Sequence, residues 1–139
     1  METALWGLGL VVVALAVGGV KSGRLAACPR SPNCVCSQDE RQSHAVAPLR
    51  YEDDFESAMA RLIEVIRSMH RTAIVRREGP YLHATFTTRI FRWVDDVEFL
   101  FDDAAKLLHV RSASREGWSD LGVNRRRVEE IRERFETDR

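Results

Sequence analysis

Apolar and polar positions follow two rhythms along this chain, preceded by a run that has none. Ala4 to Val20 reads ALWGLGLVVVALAVGGV, seventeen residues without a charge, at the low end of the roughly 17–25 that span a bilayer. From Phe55 the spacing is helical. Phe55, Ala58, Met59, Leu62, Ile63, Ile66 and Met69 recur at three- and four-residue steps and define one apolar face. Arg61, Glu64 and Arg67 take the other face, and Asp53 or Asp54 is placed to cap the helix. Four strand-like segments follow at 72–78, 81–90, 94–101 and 106–114, with Gly79-Pro80 and 102–105 as turns. Helical spacing returns from about Asp120 to Glu136, where Asn124 shares a stripe with Val128, Ile131 and Phe135. A short strand at 48–52 is a further candidate.

Short connections make an antiparallel meander the simplest arrangement, and two amphipathic helices need an apolar sheet face to cover. The expected fold is α+β: a two-layer sandwich of a four- to five-stranded antiparallel sheet with two helices on one face, behind an N-terminal transmembrane helix. This divides the chain into a membrane anchor or signal-like segment at 1–24, a Cys/Pro-containing linker at 25–47 and an α+β domain at 48–139. Alternation sends Leu82, Ala84, Phe86, Ile90, Val97, Phe99, Phe101, Leu108 and Val110 toward the helices. His83, Thr85, Thr87, Arg89, Asp96, Glu98, His109 and Arg111 then lie on the open face. If Phe101 pairs with Lys106, Asp96 faces Arg111 and Glu98 faces His109. A matching register in the preceding hairpin sets Arg89 opposite Asp96 and Thr87 opposite Glu98. In the row Arg89–Asp96–Arg111, two arginines around one aspartate leave a positive charge that favours an anionic visitor. A solvated row of surface ion pairs is the plainer reading of the same pattern.

Charge narrows the partner classes. Lys plus Arg equals Asp plus Glu at 21 each, for a net charge of 0. A chain without basic excess is not expected to bind nucleic acid, and Arg125-Arg126-Arg127 reads as a solvated helix face. The apolar run has Glu2 before it and no basic stretch, so a single uncleaved span is expected rather than a cleaved signal. Lys21 to Arg24 separate that run from Leu25-Ala26-Ala27-Cys28, so lipidation at Cys28 is not expected. Lys21, Arg24 and Arg30 after the span favour a cytoplasmic domain. The cysteines favour the extracytoplasmic side, which is slightly preferred.

All three cysteines fall in Cys28-Pro29-Arg30-Ser31-Pro32-Asn33-Cys34-Val35-Cys36. The Pro-Asn turn can bring Cys28 near Cys34 for a disulfide; three reduced thiols, or a zinc site completed by His44, are the alternatives. This segment, Val94-Asp-Asp-Val-Glu-Phe99 and the long block Arg111-Ser-Ala-Ser-Arg-Glu-Gly-Trp-Ser-Asp-Leu-Gly-Val-Asn-Arg-Arg-Arg-Val-Glu129 resemble the signature blocks of the domain-of-unknown-function family numbered 1499. The resemblance covers roughly residues 28–137. It implies that Cys28 and Cys34 belong to the domain's own motif, and it implies no biochemical activity.

Within the long block, Ser112 and Ser114 fall on the core side of their strand and Asn124 on the core stripe of its helix. Buried polar groups require partners, so a network joining strand end to helix start is expected, with Arg115, Asp120 and Arg127 completing it. Together with Arg89, Asp96 and Arg111, these are the candidate ligand-binding residues. No nucleophile elbow, phosphate loop or paired metal-ligand motif is present, so neither a cofactor nor a resident metal is expected. The favoured function is a non-catalytic binding or accessory module for a small anionic ligand or a membrane partner protein. The alternative is a hydrolase-like enzyme using Ser112, Ser114 and Asn124, with His83, His109, Asp95, Asp96 and Glu98 as candidate acid–base groups.

Overall fold

The structure, a computed structural model, describes residues 18–137. The anchor expected from the apolar run falls almost wholly outside the described residues, among which no helix is long and apolar enough to cross a membrane. Only the end of that run is described. Gly18 and Gly19 lead into β1 (Val20–Lys21), which pairs with β2 (Arg24–Leu25) in a small hairpin. Gly19 donates its N–H to Glu98 Oε1 at 3.0 Å, so these last residues belong to the domain rather than to a span.

Both helices form within the stretches of helical spacing. Asp54 caps α1 (Phe55–Ser68), its Oδ1 accepting the Ser57 N–H at 2.9 Å. The buried face is Ala58, Met59, Leu62, Val65 and Ile66. Arg61 does not point to solvent as its spacing predicts; it pairs with Asp53 and lies over the Phe135 ring at 4.4 Å. α2 (Val123–Thr137) starts later than expected. Leu121 and Gly122 stand at φ of 54° and 82°, a left-handed conformation that an α-helix cannot include. Asp120 serves instead as a cap, accepting the N–H groups of Gly122 at 2.8 Å and Asn124 at 3.0 Å.

The sheet has six strands rather than four or five: β3 (Cys34–Cys36), β4 (Leu49–Arg50), β5 (Thr72–Glu78), β6 (Tyr81–Thr87), β7 (Val94–Asp102) and β8 (Leu107–Ser114). Their order is β3-β8-β7-β6-β5, with β4 also on β8, and every pairing is antiparallel. α1 packs on β5 and α2, while α2 packs on β8 and β3. Leu82, Ala84, Phe86, Val97, Phe99, Phe101, Leu108 and Val110 meet the helices in one core, as alternation predicts. Ile90 does not, because β6 ends at Thr87. Thr88 and Trp93 close a loop there, with Thr88 N–H bonded to the Trp93 carbonyl at 2.8 Å.

The expected register is off by two in one hairpin and by four in the other. Asp102 pairs with Leu107, so Glu98 faces Arg111, Leu100 faces His109 and Asp96 faces Ala113. Lys106, at φ 54°, sits in the turn and not in the strand. On the other side His83 faces Glu98 and Thr85 faces Asp96, which leaves Arg89 exposed in the loop. Even-numbered shifts keep every side chain on its face, so the faces hold while the row Arg89–Asp96–Arg111 does not form.

The segment read as a linker is structural. β3 extends the sheet beside β8, and Leu25, Cys28, Cys34 and Cys36 pack with Tyr81, Leu100 and Ala113 on the face expected to be open. Cys28 and Cys34 form a disulfide, which excludes them as zinc ligands; His44 Nδ1 lies 2.9 Å from the Cys34 carbonyl oxygen. Cys36 is a free buried thiol, and burial pushes its pKa up.

Candidate functional site

The strand end and the helix start are joined by a polar network centred on Asn124. β8 turns Ser112 toward the helices, and α2 turns Asn124 back toward the strand. Asn124 Oδ1 accepts from Ser112 Oγ at 2.6 Å and Arg127 Nη1 at 2.8 Å. Its Nδ2 lies 2.7 Å from Asp120 Oδ2, 2.9 Å from Ser114 Oγ and 3.1 Å from the Asn33 carbonyl. Arg127 continues to Asp95 at 2.6 Å and lies over the Phe86 ring at 5.1 Å. Asp120 and Arg127 therefore belong to this network as expected; Arg115 does not. Asn33 is a member the sequence reading missed. Its Nδ2 donates to the Gly117 carbonyl at 2.8 Å, which ties the cysteine loop to the loop before α2.

A second cluster lies on the other face, under the N-terminal cover. Asp96 is fully buried. It receives Arg115 Nε at 2.7 Å and Nη2 at 2.8 Å, a bidentate pair, and lies 2.7 Å from His83 Nε2. Burial alone would raise Asp96, but the hydrogen bonds from Arg115 and His83 outweigh it and hold the carboxyl below the usual range. Glu98 is equally buried. Tyr81 donates its hydroxyl to Oε1 at 2.7 Å, and Arg111 reaches Oε2 at 3.3 Å. Here burial wins and lifts the Glu98 carboxyl above its ordinary range, against the pull of Tyr81, Arg111 and Gly19. Each arginine thus has its own carboxylate, which removes the two-to-one charge excess argued from the row.

Arg111 carries a different signal. Its side chain is only 6% exposed, and its buried Nε has no hydrogen-bond partner. Such an orphan donor is rare in native proteins. Arg111 and Arg115 both line a cleft of about 390 Å³ whose other walls include Gly18, Ala26, Cys28 and Asn33. Gly18 is required there: at φ 75° a Cβ would stand 2.6 Å from the Ala26 Cβ.

Of the groups named for a hydrolase, Ser112, Ser114 and Asn124 are brought together and the histidines lie apart from them. Ser112 and Ser114 hydroxyls belong to the Asn124 network, whereas His83 pairs with Asp96 on the opposite face and His109 Nδ1 pairs with Ser37 Oγ at 3.2 Å. The triplet Arg125-Arg126-Arg127 is turned onto its own chain: Arg125 holds the Ala45 carbonyl, Arg126 the Leu121 carbonyl and Arg127 Asp95. No curated protein matches this chain. The family described as "Protein of unknown function (DUF1499)" matches residues 24–135, a span that contains the disulfide, the whole six-stranded sheet and most of α2. The chain belongs to the DUF1499 family.

Proposed function

We propose that this DUF1499 domain is a non-catalytic binding module, tethered to a membrane by its N-terminal apolar run, that holds a small anion in the cleft of Arg111 and Arg115. The ligand class is an oxyanion such as phosphate, sulfate or a carboxylate. The observation that carries the reading is the orphaned Arg111 Nε. A buried donor without an acceptor costs about 1–3 kcal/mol, and because Arg111 lines the cleft an anion seated there would lie against its guanidinium and offset that cost. Glu98 meets Arg111 at a single Oε2–Nη1 contact of 3.3 Å. Arg115 spends Nε and Nη2 on Asp96 and retains Nη1. The disulfide supports a domain on the extracytoplasmic side, where such bonds persist. The separation of serines from imidazoles favours binding over the hydrolase reading.

The test is thermal unfolding of the full-length protein in detergent, titrated with inorganic phosphate, sulfate or acetate against chloride at matched ionic strength. Binding at ten times Kd should raise Tm by about 3–6 °C, because ligand linkage at that ratio is worth about 1.4 kcal/mol. Arg111→Lys keeps the charge and removes Nε, and should abolish the rise while the circular dichroism spectrum stays native. Equal Tm in chloride and in all three anions would sink the proposal.

A further inference from the structure

Two loops at one end of the sheet expose large apolar side chains that the core does not use. The loop between β6 and β7 presents Ile90 (80% exposed), Phe91 (68%) and Trp93 (49%); the loop before α2 presents Trp118 (68%) and Leu121 (85%). Asp95 pairs with Ser114, which brings the roots of these loops together. Phe91 and Trp93 stack with ring centres 4.8 Å apart. A cleft of about 400 Å³ runs between the loops, walled by Phe91, Trp93, Gly117, Leu121 and Val123, with Arg126 at its rim. Scattered apolar side chains need no explanation, but Phe91, Trp93 and Leu121 gathered round one cleft mark an interaction surface.

We infer that this patch is a bilayer-docking surface that inserts its aromatic and aliphatic tips among anionic lipid headgroups. Three observations choose a membrane over a protein partner. First, the chain enters the domain at Gly18, and the cleft that Gly18 lines shares Ser114 and Gly117 with the aromatic cleft. Gly18, which the apolar run precedes in sequence, therefore lies at a cleft adjoining the patch. Second, exposed Trp, Phe, Ile and Leu with Arg89 and Arg92 in the same loop is the composition of interfacial anchors, in which aromatic rings sit at headgroup depth. Third, the charge is complementary to an anionic surface. Residues 88–93 hold Arg89 and Arg92 and no acid. In the second loop Glu116 and Asp120 are acidic, Asp120 keeping its charge while it caps α2, so Arg89, Arg92 and Arg126 leave the patch an excess of one positive charge.

The inference adds a second membrane contact to the tether proposed above, and one experiment separates the two. Full-length protein carrying Trp6→Phe, so that Trp93 and Trp118 are its only indoles, is reconstituted into phosphatidylcholine vesicles with and without phosphatidylglycerol. Part of the lipid is brominated at a shallow acyl position. Flotation reports attachment of any kind, and quenching of indole emission reports insertion of the loops. With phosphatidylglycerol present, emission should fall by at least about one third, and Phe91→Ser with Leu121→Ser, both at exposed tips, should abolish most of that loss. Protein that floats with unquenched indoles overturns the docking surface and leaves the tether standing. Protein that does not float overturns both. Flotation lost in the double-serine variant alone supports docking and overturns the tether. Quenching that survives the double substitution, or dimerisation through the patch without vesicles, overturns the inference.

Discussion

A carboxamide can donate two hydrogen bonds and accept two, and Asn124, fully buried, has partners for both roles. Replacing it removes acceptors from Ser112 and Arg127 and a donor from the Asn33 carbonyl at once. Asn124→Ala should therefore cost about 3 kcal/mol, since several buried groups lose their partners together. Urea unfolding measures this directly, and a loss below about 0.5 kcal/mol would show that the groups find other partners. Glu98 poses a different question, about pH. Its folded carboxyl is raised by burial above the ordinary value of 4.5, so between those two values the folded chain binds more protons than the unfolded one. Stability from this group must fall as pH rises through that window. Asp96, held low, acts in the opposite sense: its contribution is full above the ordinary aspartate range and is lost only as acid titrates the folded carboxyl. Glu98→Gln should remove the downward slope that begins near pH 4.5. Urea midpoints of both proteins between about pH 4 and 8 check it, and parallel curves would refute the assignment.

At the scale of elements, what was legible is set by the range of the interaction that fixes it. Helix faces and strand alternation depend on neighbours three or two residues away, and both were readable: Asn124, Val128, Ile131 and Phe135 form the buried stripe of α2. Register depends on turn conformation. Lys106 and Arg92 take left-handed angles with φ of 54° and 57°, which few non-glycine residues advertise. That is why the hairpins slipped in the reading while their faces did not. β3 was missed for another reason: three residues of Cys-Val-Cys carry no periodicity, and their strand character comes from β8. The disulfide holds this short strand in place. By chain entropy, closing the loop from Cys28 to Cys34, separated by six positions, is worth about 2 kcal/mol. Cys28→Ser with Cys34→Ser should lose about that amount. It should also speed hydrogen exchange at the Ser114 amide, which bonds to the Asn33 carbonyl at 3.0 Å. Unchanged exchange and stability would show that β3 is held by its β8 pairing alone.

For the whole molecule, the polar face was foreseen as a surface and is an interior. Nothing in the alternation of β6, β7 and β8 says whether a polar face meets water or a cover, and the cover lies in a segment whose Pro and Cys content reads as a linker. The candidate arginines changed partners accordingly: Arg111 went to Glu98, Arg115 replaced Arg89 beside Asp96, and the anion argument passed from an ion-pair row to a walled cleft. That cover also fixes an order of events. Gly19 reaches Glu98 across 79 positions and Asn33 reaches Asn124 across 91. A ribosome delivers residues 18–47 first, and their docking surface exists only after β7, β8 and α2 have emerged. The part of the domain made earliest is therefore the part seated last. Contacts this distant in sequence make folding slow, and they keep the half-made chain loose for as long as it is being threaded anywhere.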